Sequence, residues 1–291
     1  MPLNKLLLWI GITKSKYSIW KKRVGKENTN NSKQPKDGWL LEWEKKAIIK
    51  FYLENKKEGY RRVTYMMIDA NVVAVSPSSV YRVLKASNLL RVWARKTSKK
   101  GTGFEQPTFA HQHWHVDIAY IRICSTFFYL CSVLDGYSRY IVHWELKEQI
   151  TELDLEIILL KAKELFPKAS PRIISDNGPQ FIARDFKEFI NIMEMTHVRT
   201  SPYYPQSNGK IERYHRSLKS ECIQKSCLLS LDDGCRLLSL YVHHYNCERL
   251  HSAIGYISPF DKLLGNAETI FAQRRDKLLF ARKLRTVSIS A

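Results

Sequence analysis

A change in hydrophobic periodicity at residue 113 is the feature that most constrains the fold of this 291-residue chain. Apolar and polar residues alternate from 113 to 120, as in a strand with one buried face, and Asp117 lies on the polar face. Further strands are predicted at 127–134, 140–146, 172–175 and 197–200, and helices at 153–166, 181–193 and 210–225. The order βββαβαβα predicts a mixed sheet flanked by helices, which belongs to the α/β class.

The region before this sheet has helical periodicity. Helices are predicted at 43–52, at 62–69 and after Ser76, which is a good N-cap followed by Pro77 at the first helical position. The third helix directs small polar and basic residues outward, namely Ser78, Ser79, Arg82 and Lys85. This pattern is typical of the recognition helix of a helix-turn-helix domain, and a generic three-helix bundle is the alternative.

The formal net charge of +19 indicates a polyanionic partner, with nucleic acid ahead of a membrane surface. Residues 1–105 carry 23 lysines and arginines against 8 acidic residues, whereas residues 106–291 carry 24 against 20. The excess at the front favours DNA or RNA contact over a merely solvated surface. No apolar run is long enough to span a membrane, and the apolar start at 6–12 is too short for a signal peptide. The six cysteines form no CxxC pair, so we expect reduced thiols in a cytoplasmic protein.

Polar segments rich in Gly, Pro, Ser and Asn divide the chain. They predict a short N-terminal helical segment with its linker at 1–38, a DNA-binding domain at 39–96, a second linker at 97–107, a larger domain at 108–265 and a basic C-terminal tail at 266–291.

Three carboxylates stand out by their positions in the larger domain. Asp117 lies within the first strand, Asp176 follows a later strand, and Glu212 opens the last helix. Ligands of α/β sheets bind at the carboxyl ends of strands, and converging carboxylates suit Mg²⁺. Two such ions can flank a phosphodiester. Spacing alone does not carry this assignment, because the chain has 28 acidic residues.

Longer motifs surround these acids. They are Trp114-x-x-Asp117-Ile118, Leu134-Asp135-Gly136-Tyr137-Ser138-Arg139, Ser175-Asp176-Asn177-Gly178-Pro179-Gln180-Phe181 and the run from Ser201 to Arg213, SPYYPQSNGKIER. Together they resemble the integrase catalytic core, which retroviral integrases share with a large class of bacterial insertion-sequence transposases. Asp176 and Glu212 are separated by 35 residues, as in the acidic triad of that family. Residues 59–62, 80–84 and 245–259 are also similar to the bacterial transposases, so the resemblance covers about 40–265.

The resemblance implies a ribonuclease-H-like fold preceded by a helix-turn-helix region. It implies that Asp117, Asp176 and Glu212 are the catalytic residues and the ligands of two Mg²⁺ ions, with Mn²⁺ as a substitute. The reaction would be strand cleavage by water, followed by transfer of the freed 3′ hydroxyl to target DNA. Two features depart from the family pattern. Ala119 stands where these transposases commonly have Thr. The His/Cys zinc module of retroviral integrases is missing, and this favours a bacterial element over a virus.

The implied partners are element ends and target DNA, further copies of the chain in a homo-oligomer on that DNA, and an upstream reading-frame product that is fused to or paired with this chain. No membrane partner is expected. The expected location is the bacterial cytoplasm, in association with the nucleoid.

Basic residues on the last helix are candidates for phosphate contact, with a solvated helix face as the alternative. They are Lys210, Arg213, Arg216 and Lys219, of which Arg216 and Lys219 share a face with Glu212 and His215. Asn208 and Gly209 are expected to give the preceding loop mobility.

Other conspicuous residues are predicted to have structural roles. His111, His113 and His115 are expected to be structural or to lie near DNA rather than to bind a metal, Asp135 is expected to form a turn, and Tyr245, Arg249 and His251 are expected to pack.

Two other functions compete with a transposase. The first is a catalytically inactive, sequence-specific DNA-binding protein derived from one, and the second is a ribonuclease-H-type nuclease. The presence of all three acids favours the enzyme over the first, and the basic N-terminal region argues against the second.

Overall fold

The computed structural model describes residues 2–25, 39–90, 106–199 and 208–290. Most of the two predicted linkers and residues 200–207 of the loop before Glu212 lie outside the described residues. None of the helices in the described ranges is long and apolar enough to cross a membrane. The chain divides into two compact units, one formed by Met1–Leu41 with Phe280–Ala291 and the other by Glu42–Leu279.

The smaller unit begins with two short helices, which correspond to the predicted N-terminal helical segment. They are α1 (Leu3–Trp9) and α2 (Lys14–Lys21). The Thr13 side chain caps α2 by accepting a hydrogen bond from the backbone N–H of Lys16 at 3.3 Å.

The larger unit begins with the three helices predicted from periodicity and capping. They are α3 (Glu42–Glu54), α4 (Tyr60–Asp69) and α5 (Pro77–Ala86). Ser76 caps α5 by accepting from the Ser79 N–H at 3.2 Å, and Pro77 occupies its first turn, as predicted. The prediction that Ser79 faces outward is wrong. Its side chain is buried and its hydroxyl lies 3.0 Å from Ser76 Oγ, because Ser79 precedes Val83 by one turn on the flank of the packed face.

Five strands form the predicted mixed sheet, in the order β3-β2-β1-β4-β5. The strands are β1 (His113–Ile123), β2 (Thr126–Asp135), β3 (Ile141–Lys147), β4 (Arg172–Ser175) and β5 (Thr196–Arg199). β1 pairs antiparallel with β2 and parallel with β4, β2 pairs antiparallel with β3, and β4 pairs parallel with β5. β1 therefore occupies the centre of the sheet.

Helices cover both faces of the sheet. They are α6 (Glu152–Leu165), α7 (Arg184–Ile192), α8 (Gly209–Glu221) and α9 (Leu231–Cys247). Two further helices follow, α10 (Pro259–Leu263) and α11 (Ala267–Ser290). Trp114 and Val116 pack on the side of α6 and α7, whereas Ile121 packs on the side of α8 and α9. The predicted polar face of β1 is therefore covered, and His113 and His115 are buried there, because a central strand has no solvent face.

Two predicted helices are shorter than expected, and the predicted tail is helical. The helix predicted at 181–193 starts at Arg184, after a 3₁₀ turn at Pro179–Phe181. The helix predicted at 210–225 ends at Glu221 and is followed by a 3₁₀ turn at Ile223–Lys225. The predicted basic tail is the long helix α11.

Candidate active site

Asp117 is held at the centre of the sheet. It lies opposite Ser132 of β2, and 19% of its side chain is exposed. Its Oδ1 accepts a hydrogen bond from the Ile118 N–H at 3.0 Å, and its Oδ2 lies 3.3 Å from His215 Nδ1. His215 is buried on α8, and its Nε2 lies 3.4 Å from Ser132 Oγ. Two strands and a helix thus orient this carboxylate.

Asp176 follows β4, the parallel neighbour of β1. The pairing of the two strands ends at His115 and Ile174, so Asp117 and Asp176 each lie two residues beyond it along the chain. That the two carboxylates meet at a ligand site there remains a prediction.

Local hydrogen bonds shape the chain around Asp176. Ser175 is buried, and its Oγ lies 2.9 Å from His197 Nε2 on β5. The pKa of His197 is lowered by burial and by neighbouring cations. Asp176 is exposed, and its Oδ1 accepts from the Gly178 N–H at 3.0 Å. This turn ties the Asp176 carboxylate to its own loop.

Glu212 lies exposed in the first turn of α8. An acidic side chain at this end of a helix interacts favourably with the helix dipole. The opposite side of α8 anchors it to the sheet through Ile211, Tyr214 and Leu218, all of which are buried. The amphipathic pattern of α8 therefore directs Glu212 away from the core.

A groove of about 470 Å³ runs between β1 and α8. It is lined by Asp117, Ile118, Ala119, Tyr120, Glu212, His215, Arg216, Lys219, Ser220 and Gln224. Asp117 and Glu212 therefore share one groove, and Asp176 is not part of its lining. Within the described ranges, no three His, Cys, Asp or Glu side chains are grouped closely enough to hold a metal ion.

The basic residues of α8 occupy three different environments. Arg216 and Lys219 line the groove beside the acids, on the face predicted for them. Arg213 is exposed and lies outside the groove lining. Lys210 is half-buried and donates through Nζ to the Gly136 carbonyl oxygen at 3.0 Å. Burial and the nearby Arg139 lower the pKa of Lys210 to about 7.

The predicted recognition helix α5 presents three of its four candidates to solvent. Ser78, Arg82 and Lys85 are exposed, whereas Ser79 is buried. Arg82 Nε donates to the Ser78 carbonyl oxygen at 3.3 Å, so its guanidinium group lies along the surface of the helix.

The residues just before α8 are anchored. Asn208 is buried, with Oδ1 3.3 Å from His115 Nδ1 and Nδ2 donating to the Val116 carbonyl oxygen at 3.4 Å. Asn208 is thus anchored to β1, whereas residues 200–207, which form the loop whose mobility was expected, lie outside the described residues. Burial lowers the pKa of His115 to about 3, so this ring is neutral and structural.

Asp135 and Arg249 have the structural roles predicted. Asp135 accepts hydrogen bonds from the His111 N–H at 2.8 Å and the Ser138 N–H at 2.7 Å, which builds the turn after β2. Arg249 forms a two-bond ion pair with Glu221 of α8, at 2.6 and 2.8 Å.

The contact between His215 and Asp117 was not predicted. Its only signal in the sequence is the position of His215, three residues after Glu212 and therefore on the face that carries Glu212.

Comparison with known proteins identifies the family. Two family models described as "Integrase core domain" match residues 107–205 and 193–259, which together span more than half of the chain. The insertion element IS136 protein of Agrobacterium fabrum is 31% identical over 45% of this chain and 70% of its own length. The transposase of insertion sequence element IS904 from Lactococcus lactis is 22% identical over 79% of this chain and 96% of its own length.

A solved structure shows the same fold. A chain of the simian T-cell lymphotropic virus intasome superposes with a TM-score of 0.50 at 18% identity, over 74% of each chain. The integrase-core matches, the bacterial relatives and the shared fold agree with one another. The chain therefore belongs to the insertion-element transposases with a ribonuclease-H-like integrase core, a class of polynucleotidyl transferases.

Proposed function

We propose that this chain cleaves DNA at the ends of an insertion element and joins those ends to target DNA, with Asp117, Asp176 and Glu212 as its catalytic residues. The observation that carries the proposal is the groove in which Asp117 and Glu212 lie beside Arg216 and Lys219. Phosphodiester chemistry needs carboxylates to hold metal ions and cations to bind phosphate, and this groove offers both.

The three acids would hold a divalent metal. Their oxygen atoms are the donors that Mg²⁺ prefers, and Mg²⁺ binds through few carboxylates together with substrate phosphates. The exposure of Asp176 and Glu212 supports a site that closes when metal and DNA bind, because carboxylates repel one another without a cation. The chemistry that two Mg²⁺ ions, or Mn²⁺, would supply is stabilisation of charge on the attacking and leaving oxygens.

The chain's own groups bind and orient the reactants. Arg216 and Lys219 contact phosphate oxygens along α8, while His215 fixes the direction of the Asp117 carboxylate. Water attacks the phosphodiester at the element end, and the bond from phosphorus to the 3′ oxygen breaks, which leaves a free 3′ hydroxyl and a 5′ phosphate. That hydroxyl then attacks a phosphodiester of the target and displaces the 3′ oxygen of the target strand, so no bond between protein and DNA is needed.

The surfaces outside the groove would recognise DNA and partners. Ser78, Arg82 and Lys85 on α5 are exposed as a recognition helix requires, and Arg213 adds an exposed cation on α8. We infer that Lys210 acts mainly on the turn that carries Gly136, because its ammonium group is bonded there.

We further infer that the chain works as a homo-oligomer on DNA, by analogy with the retroviral intasome, and that an upstream reading-frame product pairs with it. Binding to element ends and target would keep it at the nucleoid.

The proposal is tested by metal-dependent cleavage and joining of a linear DNA that carries the ends flanking the coding region. We expect a joined product with Mg²⁺ or Mn²⁺ that is lost in Glu212→Gln and Asp176→Asn, with DNA affinity nearly unchanged. Glu268→Gln is the matched control, because Glu268 is also an exposed acid in the first turn of a helix.

Three results would contradict the proposal. If Glu212→Gln still forms the joined product, the three acids are not the catalytic residues. No product from the wild-type chain, even with the upstream reading-frame product added, would identify a DNA-binding protein without catalytic activity. Cleavage of RNA–DNA hybrids in preference to DNA would identify a nuclease instead.

A further inference from the structure

The loop between α9 and α10 contacts both the helical region at the front of the larger unit and the helix that carries Glu212. This α9–α10 loop covers residues 248–258. It folds back on itself, because the His251 N–H donates to the Ile257 carbonyl oxygen at 2.9 Å and the Tyr256 N–H donates to the His251 carbonyl oxygen at 3.0 Å. Hydrogen-bonded elements of this kind carry coupling between the parts of a protein that they join.

Arg249 holds the end of α8 to this loop. Its guanidinium group makes two hydrogen bonds with the Glu221 carboxylate, at 2.6 and 2.8 Å, and 8% of its side chain is exposed. The Tyr241 hydroxyl donates to the same carboxylate at 3.0 Å. Burial by itself would raise the pKa of Glu221, but the hydrogen bonds from Arg249 lower it overall, so the ion pair is charged at neutral pH. Glu221 lies nine residues after Glu212, which is about 14 Å along the same helix.

Arg62 and Tyr65 hold the same loop to α4. Arg62 Nε donates to the Leu250 carbonyl oxygen at 3.0 Å, although the two residues lie 188 positions apart in the sequence. The Tyr65 ring stacks on Tyr256, with ring centroids 4.8 Å apart and planes 17° from parallel. Because Leu250 directly follows Arg249, adjacent residues of the loop bind α4 and α8.

Helix α5 is fixed to α4 in turn. The two helices contact each other, and each buries apolar side chains, among them Met67 of α4 and Leu84 of α5. The rings of Tyr60 and Tyr81 add a contact between the helices, with centroids 5.4 Å apart. A continuous series of contacts therefore runs from α5 through α4, the α9–α10 loop and α8 to Glu212.

We propose that Arg249 and Arg62 are positioning residues, which hold α8 and α4 to the α9–α10 loop and thereby fix the spacing between DNA bound on α5 and the cleavage site at Glu212. This inference rests on the proposed function, because it assumes that α5 binds the element end and that Glu212 acts in cleavage. The cleaved phosphate is then selected by its distance from the sequence that α5 binds. That distance is set within one chain.

The first test asks whether α4 and α8 are coupled, in the full chain without DNA. Hydrogen–deuterium exchange measured by mass spectrometry reports the opening of each helix separately. Arg249→Gln should raise exchange in α4 as well as in α8 by about tenfold, the factor expected for losing a hydrogen bond between charged groups, and Arg62→Gln should also raise both. Arg236→Gln is the matched control, because Arg236 forms an ion pair with Asp233 but is 75% exposed. An effect confined to the helix nearest each substitution would overturn the coupling.

The second test asks whether this coupling sets the position of the cut. The substrate is linear DNA with an element end, lengthened by two base pairs between its terminus and the sequence that the wild-type chain protects in a footprint. In the wild type we expect the cut to keep its distance from the footprint and therefore to leave its normal place at the terminus. In Arg249→Gln and Arg62→Gln we expect cuts at several neighbouring phosphates, with the yield at the wild-type position reduced by about tenfold to a hundredfold and DNA affinity unchanged.

Two outcomes of the second test would overturn the proposal. One is a wild-type cut that stays at the terminus of the lengthened DNA. The other is a single cut position in both variants, even at lower yield, because a substitution that merely destabilises the fold lowers the yield without spreading the cuts.

The exchange test separates this inference from the proposed function, because it uses neither DNA nor metal. Glu212→Gln should have wild-type exchange in α4 although cleavage is lost, since it changes neither positioning residue. Cleavage by a chain in which α4 and α8 are not coupled would leave the proposed function intact and reject the inference. Coupled exchange in a chain that cleaves no DNA would reject the proposed function and retain the joining of α4 to α8 through the loop.

Discussion

Arg274 on α11 gives a prediction about how helix α4 is fixed within the larger unit. It is 5% exposed and forms two hydrogen bonds with the Asp69 carboxylate at the end of α4, at 2.6 and 2.8 Å. It also donates to the Tyr256 carbonyl oxygen at 2.8 Å, and its guanidinium group lies 4.9 Å from the centre of the Tyr65 ring. We predict that Arg274→Ala loosens α4 from the segment that follows the integrase core.

The size of the effect follows from these contacts. Removing one partner of a buried ion pair costs about 3–5 kcal/mol, because the other charge is left unpaired. Asp69 is 38% exposed on its side chain, so water can partly replace the lost partner, and we take the lower end, about 3 kcal/mol. With a urea dependence of about 3 kcal/mol per M, the unfolding midpoint should fall by about 1 M.

Urea unfolding followed by circular dichroism measures this change. Arg275→Ala is the control, because Arg275 is adjacent and exposed, and its effect should stay within about 0.5 kcal/mol. The unfolding midpoint of Arg274→Lys should lie between those of Arg274→Ala and Arg275→Ala. An ammonium group keeps the charge, but it cannot make the two paired hydrogen bonds of a guanidinium group. If Arg274→Ala and Arg275→Ala shift the midpoint equally, the reasoning is refuted.

Three further predictions concern charge, pH and packing. Lys219→Gln should flatten the plot of log affinity for duplex DNA against log salt by about 0.9, and an unchanged slope would mean that Lys219 binds no phosphate. Because burial lowers the pKa of His115 to about 3, the unfolded chain binds a proton that the folded chain does not below about pH 6.5. The free energy of unfolding should therefore fall by up to about 1.4 kcal/mol per pH unit below that pH. In urea titrations, His115→Gln should reduce this dependence on pH, whereas His244→Gln, at an exposed histidine, should not. Gly255→Ala should lower the free energy of unfolding by about 2–4 kcal/mol, because Gly255 has a φ of +83° and an added methyl group would lie 2.5 Å from Phe271. Wild-type stability in this variant would contradict that packing.

Local sequence patterns predicted the features of the fold that depend on residues close together in the sequence. The cap at Ser76 and the first-turn Pro77 were predictable because capping acts within three residues. The order of strands and helices was predictable because periodicity is read along each segment. The assignment of the three acids came from the motifs around them, and it remains a prediction.

The sequence pattern failed where a residue's surroundings come from distant parts of the chain. Alternation along β1 suggested a polar face for His115, but β1 pairs on both sides and helices cover both faces. The same alternation suggested burial for Tyr120, which is exposed because the β4 pairing stops before it.

Periodicity and capping along the chain were enough to predict the α/β class and the helical region before it, and the resemblance of the motifs around the three acids predicted the family. They could not establish which groups meet across the fold. His215 lies beside Asp117 only because α8 crosses β1, and Arg274 reaches Asp69 across 205 positions of sequence. Such contacts depend on how the sheet and helices pack together, and packing free energy is a property of the assembled core rather than of any one segment.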